Sequence, residues 1–136
     1  MKLLLLLLFL LFQYYNLLSK PILQFSDKSY YLEEAETYQE KKRGLMYRDF
    51  LPENGGMLFV YDKPKIISMW MINTFVSLDI IWLDEFFKIT HLISNPKLNS
   101  REILFSPLLS QYVLELPLGV ISERQLTINQ TLKIKF

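Results

Sequence analysis

Two apolar stretches near the middle of the chain, residues 66–72 (IISMWMI) and 78–83 (LDIIWL), do most to limit the fold. Uninterrupted apolar runs of this length suit strands covered on both faces. Shorter alternating stretches surround them. Phe87, Ile89, His91 and Ile93 alternate with Lys88, Thr90 and Leu92, and a tight turn at residues 84–86 pairs this strand with 78–83. Tyr112, Leu114 and Leu116 alternate as another strand, and Leu132, Ile134 and Phe136 as a half-buried closing strand. Residues 30–32 start a first strand. The expectation is a mainly β fold, a small antiparallel sandwich or barrel-like sheet with one or two short helices. Polar-outward alternation in the last strands favours antiparallel pairing.

The breaks between these stretches are legible too. Thr37 followed three residues later by Glu40 is a capping-box pattern, which predicts a short helix over residues 38–46. Leu51-Pro-Glu-Asn-Gly-Gly56 has the chemistry of a turn, because Pro fixes φ and Gly permits positive φ. Residues 57–61 are a short apolar run, and 62–65, with Pro64, read as a further turn. Residues 94–110 form a long polar loop interrupted by Pro96 and Pro107, of a length that is uncommon unless functional or mobile. Residues 119–125 read as a helical turn.

The N-terminus follows different rules. Met1-Lys2 precedes ten consecutive Leu or Phe residues, Leu3 to Phe12, before Gln13 breaks the run. A positive start and a short apolar core form the pattern of a secretory signal. A spanning helix needs about 20 apolar residues, and 3–18 falls short. Ser19 is a candidate last residue of the leader, but Leu17 is bulky where a small residue is preferred, so an uncleaved anchor stands as the alternative. Residues 1–25 are therefore read as signal peptide or N-terminal anchor plus linker, the linker being 21–29. Residues 26–136 are read as one β-rich domain, roughly 110 residues. The expected location is periplasmic or extracellular, with membrane contact only through residues 3–18 if they are retained.

Composition removes several classes of function. With 51% hydrophobic residues the chain can pack a core. The net charge of +1 gives no electrostatic case for nucleic acid. The absence of cysteine excludes a disulfide framework, a thiolate metal site and a Cys nucleophile. No phosphate-binding glycine loop or nucleophile elbow is present. No cofactor is called for.

Five short blocks, taken in order, resemble one family. They are Arg43-Gly-Leu-Met-Tyr-Arg48, Gly56-Met-Leu-Phe-Val60, Met69-Trp-Met-Ile-Asn-Thr74, Leu78-Asp-Ile-Ile81 and Tyr112-Val-Leu-Glu-Leu-Pro-Leu-Gly119. Together they look like the domain of unknown function 192, over residues 30–136. The resemblance implies a compact β-rich domain, often carried behind a signal peptide, and brings no activity or substrate. The chain departs from the family pattern at Ile72, where Lys is frequent, near Asp84-Glu85, which lacks the usual Gly, and at Asn129-Gln130, which replaces Gly-Asp. The first departure removes a charge from any pocket, and the other two alter turns.

The candidate pocket rests on Asn73 and Asp79. Period-2 geometry puts Asp79 on the face of Ile81 and Leu83, with Leu78, Ile80 and Trp82 on the other. A carboxylate among apolar neighbours must be paired or hydrogen-bonded. One reading makes Asn73, Asp79 and Arg43 the polar end of a pocket walled by Met57, Trp70 and Met71, which would take a small molecule or a peptide end. In the other, Asn73 and Asp79 tie down a turn, the commoner role of such residues. Two further readings are an enzyme of unassigned class using Asp79 as acid or base, and a soft-metal (copper) site built from Met46, Met57, Met69 and Met71, with His91 as a further ligand. Methionine more often fills core gaps. Catalytic residues are not assigned. A carboxylate pair of Asp79 with Glu115 stays open, since both lie near blocks that match the family, but nothing in the spacing requires it; Glu115 alternates away from Leu114 and Leu116, so its default position is solvent.

Overall fold

The computed structural model describes residues 1–18 and 20–136. Its elements run α1 (Lys2–Leu18), β1 (Ile22–Gln24), β2 (Ser29–Ala35), α2 (Tyr38–Arg43), β3 (Gly55–Lys65), β4 (Ser68–Met69), β5 (Leu78–Leu83), β6 (Ile89–Ser94), β7 (Leu104–Phe105), β8 (Ser110–Pro117), α3 (Val120–Glu123) and β9 (Ile134–Lys135). Ser19, the candidate last residue of the leader, lies outside the described residues. In α1 the run Leu3 to Phe12 is exposed. No helix among the described residues is long and apolar enough to cross a membrane. The stretch read as a linker, 21–29, supplies β1 to the main sheet.

Seven strands form one curled sheet in the order β6-β5-β8-β3-β2-β1-β9. All pairs are antiparallel except β2 and β3, which run parallel from Tyr31 opposite Gly55 to Ala35 opposite Phe59. The sheet is therefore mixed, which corrects the purely antiparallel expectation. The cause lies in residues 36–54, because a parallel pair needs a crossover and α2 is carried on that crossover. Thr37 caps α2 as expected: its hydroxyl accepts from the Glu40 amide, and the Glu40 carboxylate accepts from the Thr37 amide at 2.9 Å. The helix stops at Arg43, short of Met46, because Gly44 turns the chain with φ +49°.

Residues 78–83 are the strand their sequence predicts, buried at all six positions. The 66–72 run is not. Only Ser68–Met69 are extended, and they pair with β7 in a separate two-stranded ribbon. Ile67, Met69 and Met71 turn inward while Ile66 and Ser68 are exposed. Residues 62–65, read as a turn, continue β3 beyond an irregularity between Val60 and Lys65. A second irregularity, between Trp82 and Leu83, changes the face of β6. Ile89 packs with Leu83 in one core cluster, whereas Ile93 packs against the other, so Ile89 and Ile93 do not share a face as alternation predicts.

Two apolar clusters lie on opposite faces of the sheet. The first joins Leu23, Leu32, Leu58, Ile81, Leu114 and Ile89 with Val120 of α3 and Leu132 of the tail. Residues of both end strands meet in it, which requires the sheet to curl around them. The second joins Phe59, Ile80, Trp82 and Val113 to the covering segments through Leu45, Ile67, Met69 and Met71. The Trp82 indole N–H donates to the Ile67 carbonyl at 3.0 Å, which ties the cover to the sheet.

The tail bridges the two edges of the curl. The Ile89 amide donates to the Gln130 carbonyl, and Asn129 and Leu132 donate back to Ile89 and Phe87, at 2.8–2.9 Å. Residues 133–135 then pair with β1 on the far edge. The two glycine-poor turns both use positive φ: Phe87 at 61° and Asn129 at 74°. Asn tolerates that region better than most residues. At the β5–β6 turn Asp84 Oδ1 accepts from the Phe86 and Lys88 amides at 2.9 Å each, which holds Phe87 in place.

Candidate functional site

A cavity of about 320 Å³ opens on the outer face of the sheet, between α2 and the covering segment. Its floor is Phe59 and Tyr61 of β3 and Glu115 of β8. One wall is α2 with the Gly44-Leu45-Met46 turn behind it, and the other is residues 65–70 with Thr74.

Glu115 reaches this floor through strand register. It stands opposite Met57 on β3 and Ile80 on β5, on the same face of β8 as Val113. That face is covered, so the side chain is 4% exposed. Its Oε2 atom is buried and has no hydrogen-bond partner among the described residues. Burial pushes the carboxyl up to about 8, against a smaller opposing pull from the charge of Arg48, which is itself ion-paired to Glu33. At neutral pH the group is therefore mostly protonated, with one O–H to donate and a carbonyl oxygen to accept.

Gly44 shapes the space beside it. A Cβ at that position would approach the Phe59 ring to 3.2 Å and Glu115 Oε2 to 3.8 Å, and φ +49° is a conformation that residues with side chains rarely adopt. The other charged groups of the lining are all cationic. Lys41, Lys42 and Arg43 come from α2 and Lys65 from the end of β3. The Lys41 and Lys65 ammoniums lie 4.3 and 5.4 Å from the Tyr61 ring centroid. Burial, and then the charge of Glu115, raise the Tyr61 phenol above its ordinary value.

The residues singled out in the sequence are divided among three settings. Arg43 and Trp70 line the cavity. Met57 and Met71 are buried in the outer apolar cluster. Asn73 and Asp79 do local structural work elsewhere. Asn73, at φ 52°, accepts from the Tyr47 amide through its carbonyl at 2.8 Å and donates to the Tyr47 hydroxyl at 2.8 Å; its amide donates to Asn99 Oδ1 at 3.1 Å. Asp79 is fully buried on the inner face, and both its oxygens are used. Oδ1 accepts from the Ser94 hydroxyl at 2.7 Å, and Oδ2 accepts from the Gly119 and Ile121 amides at 3.0 and 2.9 Å. The carboxylate thus anchors the turn into α3.

The methionines are divided too: Met46 lines the cavity, Met57 and Met71 pack in the core, and Met69 does both. Among the described residues no group of three or more His, Cys, Asp and Glu is placed to hold a metal ion. His91 stacks obliquely on Trp82, 5.5 Å between ring centroids.

Glu115 is the residue that sequence reasoning missed. Alternation with Leu114 and Leu116 suggested solvent. The contrary signal was on its own face, where Val113 and Pro117 are both non-polar.

With the geometry established, comparison with known proteins is informative about kinship. The model of the DUF192 family, described as an uncharacterized ACR, matches residues 22–134. No curated protein matches the chain. Two solved structures share the fold. One is a Sinorhizobium meliloti 1021 protein provisionally described as a transcription regulator, 25% identical, with a TM-score of 0.76, covering 85% of this chain and 91% of that one. The other is a protein of unknown function from Novosphingobium aromaticivorans DSM 12444, 24% identical, with a TM-score of 0.76, covering 86% and 84%.

Proposed function

The chain belongs to the DUF192 family, and from that premise, which brings a fold and no activity, we propose that it is an exported binding domain whose outer-face cavity holds a small molecule. One observation carries the proposal: a carboxyl oxygen of Glu115 is buried at the floor of an open cavity with no hydrogen-bond partner among the described residues. A buried polar atom left unpaired costs about 1–3 kcal/mol. A guest that hydrogen-bonds it recovers that cost on binding. Like other ligand sites the cavity has apolar and aromatic walls, from Leu45, Phe59, Met69 and Trp70, and it adds charged groups at its border.

This reading keeps Arg43 and Trp70 from the sequence-derived pocket and moves its polar centre from Asp79 to Glu115. Export is supported by Met1-Lys2 and the apolar run behind it, displayed on α1. The net charge of +1 gives no ground for extending the description of the S. meliloti protein to this chain.

The test is a metabolite screen by thermal shift on the wild type and on Ser68→Trp, which places an indole in the cavity wall. Binding predicts compounds that raise the melting temperature of the wild type alone. A screen in which every stabilising compound acts equally on both proteins, or none acts on either, removes the cavity as a binding site. N-terminal sequencing of the protein from the exported fraction of expressing cells tests the leader: a start near residues 19–27 supports cleavage, and a cytoplasmic chain beginning at Met1 counts against export.

A further inference from the structure

Resting on the binding reading above, we infer that the ligand class of this cavity is a small organic anion that also carries a neutral hydrogen-bond acceptor, with its charge against the Lys41, Lys42, Arg43 and Lys65 side chains and its acceptor on Glu115.

The first argument is the charge of the lining. Four cationic side chains and one acid border the cavity. Three of the cations sit in the last turn of α2, where Lys and Arg also complement the carbonyl end of a helix. That explanation does not reach Lys65, which arrives from the end of β3 and lies with Lys41 about the same Tyr61 ring. Two separate elements thus bring positive charge to one mouth. An anion entering is drawn in by the summed field, and a cation is repelled.

The second argument is the floor. The carboxyl faces Tyr61 within the cavity, with Lys41, Lys42, Arg43 and Lys65 of the lining and Arg48 as the charged groups around it. Despite these cations, Glu115 Oε2 makes no hydrogen bond to any of the described residues. Buried as it is, the group holds its proton at neutral pH and offers an O–H. Its complement is an uncharged carbonyl or ether oxygen. Gly44 leaves the space beside that oxygen open, since a Cβ there would stand in contact with it at 3.8 Å and press on the Phe59 ring at 3.2 Å.

The third argument is size. About 320 Å³ is near the lower end of ligand pockets and admits on the order of ten non-hydrogen atoms at the volume water occupies. Between the two polar ends the walls are Phe59, Met69 and Trp70, which suit an apolar body.

The experiment uses four probes on one ring: para-acetylbenzoate, which has both features; para-ethylbenzoate, which lacks the acceptor; para-methylacetophenone, which lacks the charge; and para-acetylphenyltrimethylammonium, which reverses it. Affinities are measured by calorimetry at low ionic strength on the full chain, on Glu115→Met and on Lys41→Met/Lys65→Met. The wild type is expected to bind para-acetylbenzoate about tenfold or more tightly than the other three, since losing either the hydrogen bond to the buried carboxyl or the contact of the anion with the lysines is worth about that factor. Glu115→Met should bring para-acetylbenzoate down to the level of para-ethylbenzoate. The lysine pair should bring it down to that of para-methylacetophenone, which a merely structural role for those lysines would not do. Folding of each variant is checked by its cooperative melt, and Glu115→Gln, whose amide still donates, should retain most of the affinity if Glu115→Met does not fold. Equal binding of the neutral or cationic probe in a form abolished by Ser68→Trp overturns the anion and leaves the binding domain standing. Failure of para-acetylbenzoate to bind at millimolar concentration also overturns the anion, and only the wider screen then decides the binding reading.

Discussion

The two faces of the sheet each bury one acid, and they treat it in opposite ways. On the inner face Asp79 is wholly enclosed and accepts three hydrogen bonds, from Ser94, Gly119 and Ile121. On the outer face Glu115 is almost as deeply buried, yet Oε2 accepts none from the described residues and the group is pushed up to about 8. Burial alone therefore says little about role. An acid whose oxygens are all used is part of the scaffold. An acid buried beside an open cavity with an oxygen unused has capacity left for something else.

The widest separation between the two should appear in stability against pH. Glu115 holds in the native state a proton that the unfolded chain releases near its ordinary value of 4.5. Between about 4.5 and 8 the native state therefore binds more protons than the unfolded one, so stability falls as pH rises through that window and levels off above it. The expected fall is on the order of 5 kcal/mol. Denaturant titrations across pH should show Glu115→Gln losing most of that slope. Identical profiles for variant and wild type would erase the contrast.

Asp79→Ala should act through the hydrogen bonds it removes. It strands the Gly119 and Ile121 amides and the Ser94 hydroxyl, which predicts a loss of about 3 kcal/mol in chemical denaturation. A loss under 1 kcal/mol would mean that the turn into α3 does not depend on the carboxylate. Next comes Gly44→Ala, beside Glu115. A side chain at φ +49° in contact with Phe59 should cost about 2 kcal/mol, and it should also weaken ligand binding by narrowing the cavity. The smallest effect is expected for Ser94→Ala, about 1 kcal/mol, since Asp79 keeps its two amide donors.

Much of the architecture was written in short-range chemistry. Thr37 and Glu40 marked the start of α2, and the 78–83 run marked a strand buried on both sides. What was not legible depended on partners distant in sequence. Nothing local distinguishes a strand within the sheet from a segment lying over it, and so 66–72 reads the same as 78–83. Its alternating burial arises because Ile67, Met69 and Met71 pack toward the sheet while Ile66 and Ser68 face outward. The parallel pairing of β2 with β3 is set by where the crossover docks, not by the residues of either strand. Asp79 was correctly expected among apolar neighbours, but its partners lie 15 to 42 residues away. Glu115 was missed because alternation identifies a face without saying whether that face is covered.

The few residues at the C-terminus have an influence out of proportion to their number. A strand edge left open is a template for another chain. Here one short segment hooks onto residues 87–89 at one margin and lies along β1 at the other, so part of each template is occupied by the same piece of chain. Premature termination before residue 129 would uncover both margins at once. The truncated molecule would be prone to join its own kind edge to edge, and the fault would show itself as association before it showed itself as unfolding.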